Sequence, residues 1–336
     1  MQQGEEIQKL IWEGSIPLII NLGEEMLTNN KKKIQPFYTM SSRMSYLFTI
    51  SQDIINYFED ALKEFIEKNS DKAIDLEKNL WLDFNKIPLK WYQPTGVLYD
   101  TITGEMGKKF LPWELTAHFT SFPDNILFKI SQAEMEQLFF HSFKESCFLL
   151  CGSTAYIDKF NPLFQSELIK NAFLINQKEY ISSLSQLGFD YKNEKSLATR
   201  LIYQGKLRQL PISPQNDGEE TLLYQALEKY GIFKKIDNQQ LLKSDSKPEA
   251  LSIETDESSQ FENQNEIQNE NENQSENQEK NDEINLIEKF ENIQQNFQIV
   301  IQGIMPPLDT PCWWLAEYCK HPDGFIYIIV NDRKNR

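Results

Sequence analysis

Few residues in this 336-residue chain have types and spacing suited to chemistry, and none completes a catalytic set. Lys144 lies in HSFKESCFLLCGS (141–153), a run that otherwise reads as buried helix, with Phe140 and Phe148 one turn away on either side and Glu145 next to it. A primary amine there is either a stem lying on a core with its ammonium in water, or a nucleophile awaiting an electrophile that another protein brings. Cys147 and Cys151, four apart on the same helix and close to His141, raise a thiol- or metal-dependent enzyme as an alternative. No CxxC pair and no neighbouring His–Cys set completes a zinc tetrad, however. Cys147 also continues the apolar stripe Met135, Leu138, Phe139 and Phe143, so core packing is the better account. Cys312, Cys319 and His321 place three potential ligands within ten residues, a weak signal of the same kind. The histidines are His118, His141 and His321, and no nucleophile signature accompanies them as a Cys–His protease would require. The 13 glycines are thinly spread and form neither GxGxxG nor GxxxxGKS. Nothing here argues for a self-contained enzyme, a cofactor or a metal.

The elements that must position these residues fall into three groups. EEIQKLIWEG (5–14) spaces Ile7, Leu10 and Ile11 as a short amphipathic helix that stops at Gly14. IPLIINL (16–22) predicts a buried strand and QPFYTM (35–40) a second. SQDIINYFEDALKEFIEKNS (51–70) predicts one helix with Ser51 as its N-cap. WLDF (81–84), KIPLKWYQPTGVLYD (86–100) and WELTAHFTSF (113–122) read as strands and loops. This order suggests a small sheet packed on one helix. From Ser131 to about Leu187 the period becomes helical. SQAEMEQLFFHSFKESCFLLCG has Ser131 and Glu134 as a capping box and Gly152 as C-cap, and QSELIKNAFLI and KEYISSLSQLG follow. The strand pattern then returns. LATRLIYQ (197–204) and LRQLPIS (207–213) predict a hairpin turning at Gly205 and Lys206. ETLLYQALEKYGIF (220–233) predicts a helix and FQIVIQGI (297–304) a strand. TPCWWLAEYCKHP (310–322) predicts a helix with Pro311 at its first position. GFIYIIV (324–330) predicts a central strand.

Charge is uneven. Of the net −16, −10 lies in residues 251–284, where eleven Asp or Glu meet one Lys, so the rest of the chain is mildly acidic. That excludes a general nucleic-acid binder, which needs a basic face. The local patch Lys31, Lys32 and Lys33 leaves contact with an anionic membrane open. No segment approaches the roughly 20 apolar residues that cross a bilayer, and MQQGEEIQKLIWEG lacks the apolar core of a signal peptide. With four cysteines, free thiols in a reducing cytoplasm are expected. From about Asp237 to Leu286 the chain is Gln, Asn and Glu with few apolar residues, too polar to offset its ordering entropy, and is expected to be a disordered insertion. Trp12, Trp91 and Trp113 are candidates for exposed partner-binding anchors, with core packing as the competing reading.

IWEGSIPLIINL (11–22), SRMSYL (42–47), IPLKWYQPTGVLYD (87–100), LPWELTAHFTSFP (111–123), FKESCFLLCGS (143–153) and VIQGIMPPLDTPCWWLAEYCKHPDGFIYIIV (300–330) occur in the order of one known family. On these blocks the chain resembles the autophagy-related protein 5 family. The resemblance implies an α+β fold of two ubiquitin-like β-grasp domains flanking a helix-rich domain, after a short N-terminal helix. The implied segments are 1–14 (N-terminal helix), 15–123 (first ubiquitin-like domain), 124–193 (helix-rich domain) and 194–333 (second ubiquitin-like domain, interrupted at about 237–286).

The resemblance also implies a role for Lys144. In that family a lysine in this helix segment accepts the C-terminal glycine of the ubiquitin-like autophagy modifier protein 12, delivered as a thioester by a conjugating enzyme. The conjugate, bound to the coiled-coil autophagy-related protein 16, acts as an E3-like factor for joining the ubiquitin-like protein 8 to phosphatidylethanolamine. The chain is then a non-catalytic scaffold, cytoplasmic and peripheral on preautophagosomal membranes, without cofactor, metal or nucleic acid. The alternative within the same pathway is a non-covalent adaptor. Attack requires a neutral amine: desolvation between Phe140 and Phe148 would favour it and Glu145 would oppose it. Cys151 departs from the family, which often has Asn before the Gly-Ser turn.

Overall fold

The computed structural model describes residues 2–26, 34–68, 75–154, 157, 161–232 and 286–333. The basic patch 31–33 and residues 237–285 of the polar insertion lie outside them. Residues 1–226 and 298–331 form one compact unit, and residues 227–297 with 332–336 form a second.

The first unit opens with α1 (Gln2–Glu13), which ends where Gly14 donates its N–H to the Ile11 carbonyl. A five-stranded sheet follows, built from β1 (Ser15–Leu22), β2 (Phe37–Ser42), β3 (Trp81–Phe84), β4 (Ile87–Pro88) and β5 (Trp113–His118). Its order is β2-β1-β5-β3-β4, with β1 and β5 parallel at the centre and β2 antiparallel to β1. β1 alternates: Ile16, Leu18, Ile20 and Leu22 are buried while Pro17, Ile19 and Asn21 are half-covered, so it is packed fully on one face only. The single helix expected over 51–70 is two, α2 (Ser51–Tyr57) and α3 (Glu59–Lys68), separated at Phe58. Ser51 is no N-cap, because a 3-10 turn over Leu47–Ile50 runs directly into α2. After the short α4 (Leu76–Asn79), the stretch TGVLYD read as strand or loop is helical, forming α5 (Thr95–Thr103) with Thr95 to Asp100 all buried. β-Branched and aromatic residues there suggest a strand, but tertiary burial overrides that local preference.

The helical run is α6 (Gln132–Cys151), α7 (Pro162–Phe173) and α8 (Gln177–Ser185). Then come β6 (Leu197–Tyr203), β7 (Lys206–Ile212), the small hairpin β8 (Gln215–Asn216) and β9 (Glu219–Glu220), and α9 (Leu223–Lys229). The chain resumes with a helix over 286–296 (α10), β10 (Phe297–Val300), α11 (Cys312–Tyr318) and β11 (Ile326–Asp332). The second sheet has the order β10-β11-β6-β7, with β6 and β11 parallel and β7 antiparallel to β6. Read from β7, it repeats the first four strands of the other sheet, the mark of two copies of one β-grasp pattern. The β6–β7 turn is Gln204–Gly205, one residue earlier than expected, since Tyr203 pairs with Lys206 and both turn residues have positive φ (50° and 71°). Pro311 is the N-cap of α11 and not its first residue.

Val97 of α5 joins Ala198, Ile202, Val300, Tyr327 and Ile329 of the second sheet, and Phe325 just before β11, in one core cluster, with Leu149 of α6 packed against it. α6 also lies tight on the 321–325 loop. A Cβ at Gly324 would stand 2.0 Å from Ser146 Oγ, and the glycine has φ +84°, so only glycine fits. In the second unit α10 buries Ile293, and Lys289 pairs with Glu228.

Candidate acceptor site on the long helix

α6 carries Lys144 and is held at both ends by its own sequence. Ser131 Oγ accepts from the Glu134 N–H, and Glu134 Oε2 accepts from the Ser131 N–H at 2.7 Å. Gly152 closes the helix in the left-handed conformation (φ 75°), donating to the Phe148 carbonyl at 2.7 Å. Met135, Phe139, Phe143, Ser146, Cys147 and Leu150 form the buried face. Lys144 is half-buried beside that face, with Nζ 5.8 Å from the centroid of the Phe140 ring. Phe148 is 52 % exposed, and the ring the amine approaches is that of Phe140.

Glu145, next to Lys144 in sequence, is bound by the second sheet. Its Oε2 accepts from Arg200 Nη2 at 2.9 Å and its Oε1 from Gln209 Nε2 at 2.8 Å, so both oxygens are turned toward the second sheet. Arg200 itself is the hub of a buried network. Its Nε donates to Gln209 Oε1 at 2.9 Å, and its Nη1 to Ser142 Oγ and Tyr327 OH at 2.9 and 2.8 Å. The guanidinium lies 3.5 Å over the Phe325 ring. Asp323 Oδ2 accepts from Ser142 and Tyr327, and its Oδ1 from the Phe325 N–H. Burial alone would raise the Asp323 carboxyl, but His321, Arg200 and Tyr327 outweigh it and hold it at about 2. Beside this network an open cleft of about 600 Å³ is lined by Tyr92, Phe128, Leu138, His141 and Leu207 among others.

Arg200, Gln209 and Asp323 escaped the sequence reading. One signal was there: an arginine inside the apolar strand LATRLIY has to find buried partners.

The remaining candidates disperse. Trp12, Trp91 and Trp113 are 6 %, 1 % and 0 % exposed, which corrects their reading as exposed anchors. Trp12 packs on Tyr180, Trp91 on Phe48, and Trp113 on Tyr99 and Phe84, at ring separations of 5.2 to 6.0 Å. Their apolar area is spent inside the chain. Burial pushes the thiols of Cys147, Cys312 and Cys319 up to about 12 and that of Cys151 to about 11, so all four stay protonated at neutral pH, unlike a reactive thiolate. His321 is buried, with Nε2 2.9 Å from the Met44 carbonyl and Nδ1 3.1 Å from Asp323 Oδ1. Among the described residues no three His, Cys, Asp or Glu side chains are placed to hold a metal ion.

Comparison with known proteins agrees with the repeated sheet. The family model for the UblA domain of autophagy protein ATG5 matches residues 11–119, and that for the UblB domain matches residues 196–330. Autophagy protein 5 of Dictyostelium discoideum is 25 % identical over 98 % of this chain and 95 % of its own length. The Drosophila melanogaster and Arabidopsis thaliana proteins of the same name are 33 % and 31 % identical, over 51 % and 49 % of this chain. Those two matches span 55 % and 44 % of the relatives' own lengths, about half. The crystal structure of Kluyveromyces marxianus Atg5 superposes with a TM-score of 0.67 over 97 % of this chain and 100 % of that one, at 18 % identity, which speaks to the fold. With two ubiquitin-like domains matched along most of its length, the chain belongs to the autophagy protein 5 family.

Proposed function

We propose that this autophagy protein is a non-catalytic scaffold whose Lys144 amine accepts the ubiquitin-like autophagy modifier protein 12. The neutral amine attacks the thioester carbonyl of the modifier's C-terminal glycine on its conjugating enzyme. A C–N bond forms and the C–S bond breaks, and the enzyme's cysteine leaves as a thiol with the proton the amine gives up. The conjugate, with the coiled-coil protein 16, then promotes transfer of the ubiquitin-like protein 8 to phosphatidylethanolamine by positioning its conjugating enzyme. The protein works in the cytoplasm and peripherally on preautophagosomal membranes. Among the described residues no helix is long and apolar enough to cross a membrane. The division at 1–14, 15–123, 124–193 and 194–333 is part of the same proposal.

The observation that carries this reading is the seat of Lys144. It stands on a helix fixed by a capping box and a left-handed glycine, with its ammonium over Phe140 and its acidic neighbour tied elsewhere. Reconstitution with the modifier, its activating enzyme and its conjugating enzyme tests it. Tryptic mass spectrometry is expected to find a glycine-branched peptide at Lys144. A branch at another lysine, or a complex that survives only under native conditions, would replace this reading with a different acceptor or with the non-covalent adaptor.

A further inference from the structure

We propose that Lys320 is an acylation site: its amine takes small activated acyl groups, such as the acetyl of a thioester, in a reaction separate from anything asked of Lys144. The inference does not rest on the acceptor reading. Lys320 follows α11 and is half-buried. Its Nζ donates to the Glu317 carbonyl at 2.9 Å and lies 4.4 Å from the centroid of the Tyr191 ring. An ammonium carries three donors, and the Glu317 carbonyl is the acceptor that the described residues give it. Lys320 also lines a small cavity with Phe143, Cys147 and Leu150 of α6, Leu184 of α8, and Phe189 and Tyr191. At about 10 Å³ that cavity has room for a single water. Apolar walls and few acceptors disfavour the charged form of the amine.

The titratable groups around the amine do little to hold its proton. Burial keeps the thiols of Cys147 and Cys319 at about 12 and the Tyr191 hydroxyl well above 10, so all three are neutral at neutral pH. Burial likewise pushes the Lys320 amine from its ordinary 10.5 down to about 8, against the charge of Glu317 and, once it ionises, that of Cys319. The face of the Tyr191 ring favours the ammonium as well, by a smaller amount. The neutral amine attacks the thioester carbonyl. A C–N bond forms and the C–S bond breaks, and the sulfur leaves as a thiol with the proton the amine gives up. The amide keeps one N–H for the Glu317 carbonyl but carries no charge over Tyr191. Acylation therefore acts on the seam between the end of α11 and the stretch that follows α8.

Trace acetylation of the full chain with S-acetyl-N-acetylcysteamine, a small thioester, tests this. Labelling is quantified by mass spectrometry at Lys320 relative to Lys9, an exposed lysine of α1, between pH 6.5 and 10.5. At pH 7 Lys320 is expected to take up about tenfold more label than Lys9, with half-maximal labelling near pH 8. In guanidinium chloride the excess is expected to vanish, because it belongs to the folded site. Leu184→Glu places a carboxylate at a half-buried position of the same cavity. It is expected to lower the labelling of Lys320 at pH 7 about fivefold and to move its profile to higher pH. If Leu184→Glu does not fold, the native and denatured wild-type profiles decide. Labelling of native Lys320 no stronger than that of Lys9, half-maximal labelling above pH 10, or an excess that persists in guanidinium chloride overturns the proposal.

Discussion

Asp323 is 2 % exposed, and its carboxylate accepts hydrogen bonds from Ser142, Tyr327 and the Phe325 amide while facing Arg200. A buried charge of this kind contributes little when replaced together with its partners, but removing one partner strands the others. Asp323→Ala leaves Arg200 facing an empty site and is expected to cost about 3 to 5 kcal/mol in urea unfolding. A loss below about 1 kcal/mol would show that water or a rearranged Arg200 takes over. His118 offers a pH test. It sits between Glu25 at 2.6 Å and Asp83 at 2.5 Å and stacks on Trp81 with centroids 4.1 Å apart. Burial would lower the imidazole below its ordinary 6.5, but the two carboxylates overcome that and raise it. Stability from this cluster is therefore complete below pH 6.5 and lost as pH rises through the raised value. Between pH 6 and 9 the wild-type melting temperature is expected to drop by about 2 to 4 °C more than that of His118→Gln. Parallel curves would contradict the charged triad.

At the scale of elements, α6 decides whether Lys144 is well placed, and its ends are set by local chemistry. Ser131→Ala removes the N-cap and is expected to cost about 1 kcal/mol, read as a lower denaturation midpoint with an unchanged slope. A neutral result would mean that tertiary packing alone fixes the helix. This helix was legible in the sequence from Ser131 to Gly152, because caps and a helical stripe are local signals. The strands β1, β5, β6 and β11 were legible from local signals too: β1 and β5 alternate in burial, and β6 and β11 are nearly continuous buried runs. α5 was not, since TGVLYD carries residues that favour strands and becomes helical only through burial on all sides. The break at Phe58 and the turn at Gln204–Gly205 were missed because one residue of register leaves no mark on composition. At the site, Lys144 could be found, but the ties of Glu145 could not. Its partners Arg200 and Gln209 are 55 and 64 residues away, and only the folded second sheet brings them to α6. The same distance misled the tryptophans. Composition cannot tell an anchor for a partner from one for the chain's own core.

At the scale of the molecule, the two ubiquitin-like sheets are joined by polar contacts as well as by the shared core. Arg43 follows β2 and pairs with Asp100 of α5, and a Cβ on Gly303, in the turn after β10, would stand 2.6 Å from the Arg43 guanidinium carbon. Asn331 donates to the Asp100 carbonyl at 3.3 Å. These ties lie outside residues 240–284. Deleting that segment is expected to leave the unfolding midpoint and conjugation unchanged, because the closure cost of a loop changes slowly with its length. A shifted midpoint in the deleted chain would assign the insertion a part in the fold. The most direct test of the central claim is a denaturing immunoblot of this chain from its own cells, wild type beside Lys144→Arg. Arginine keeps the charge but offers no nucleophile. A slower band in the wild type that vanishes in Lys144→Arg is the expected result. A slower band in both, or in neither, would contradict Lys144 as the covalent acceptor.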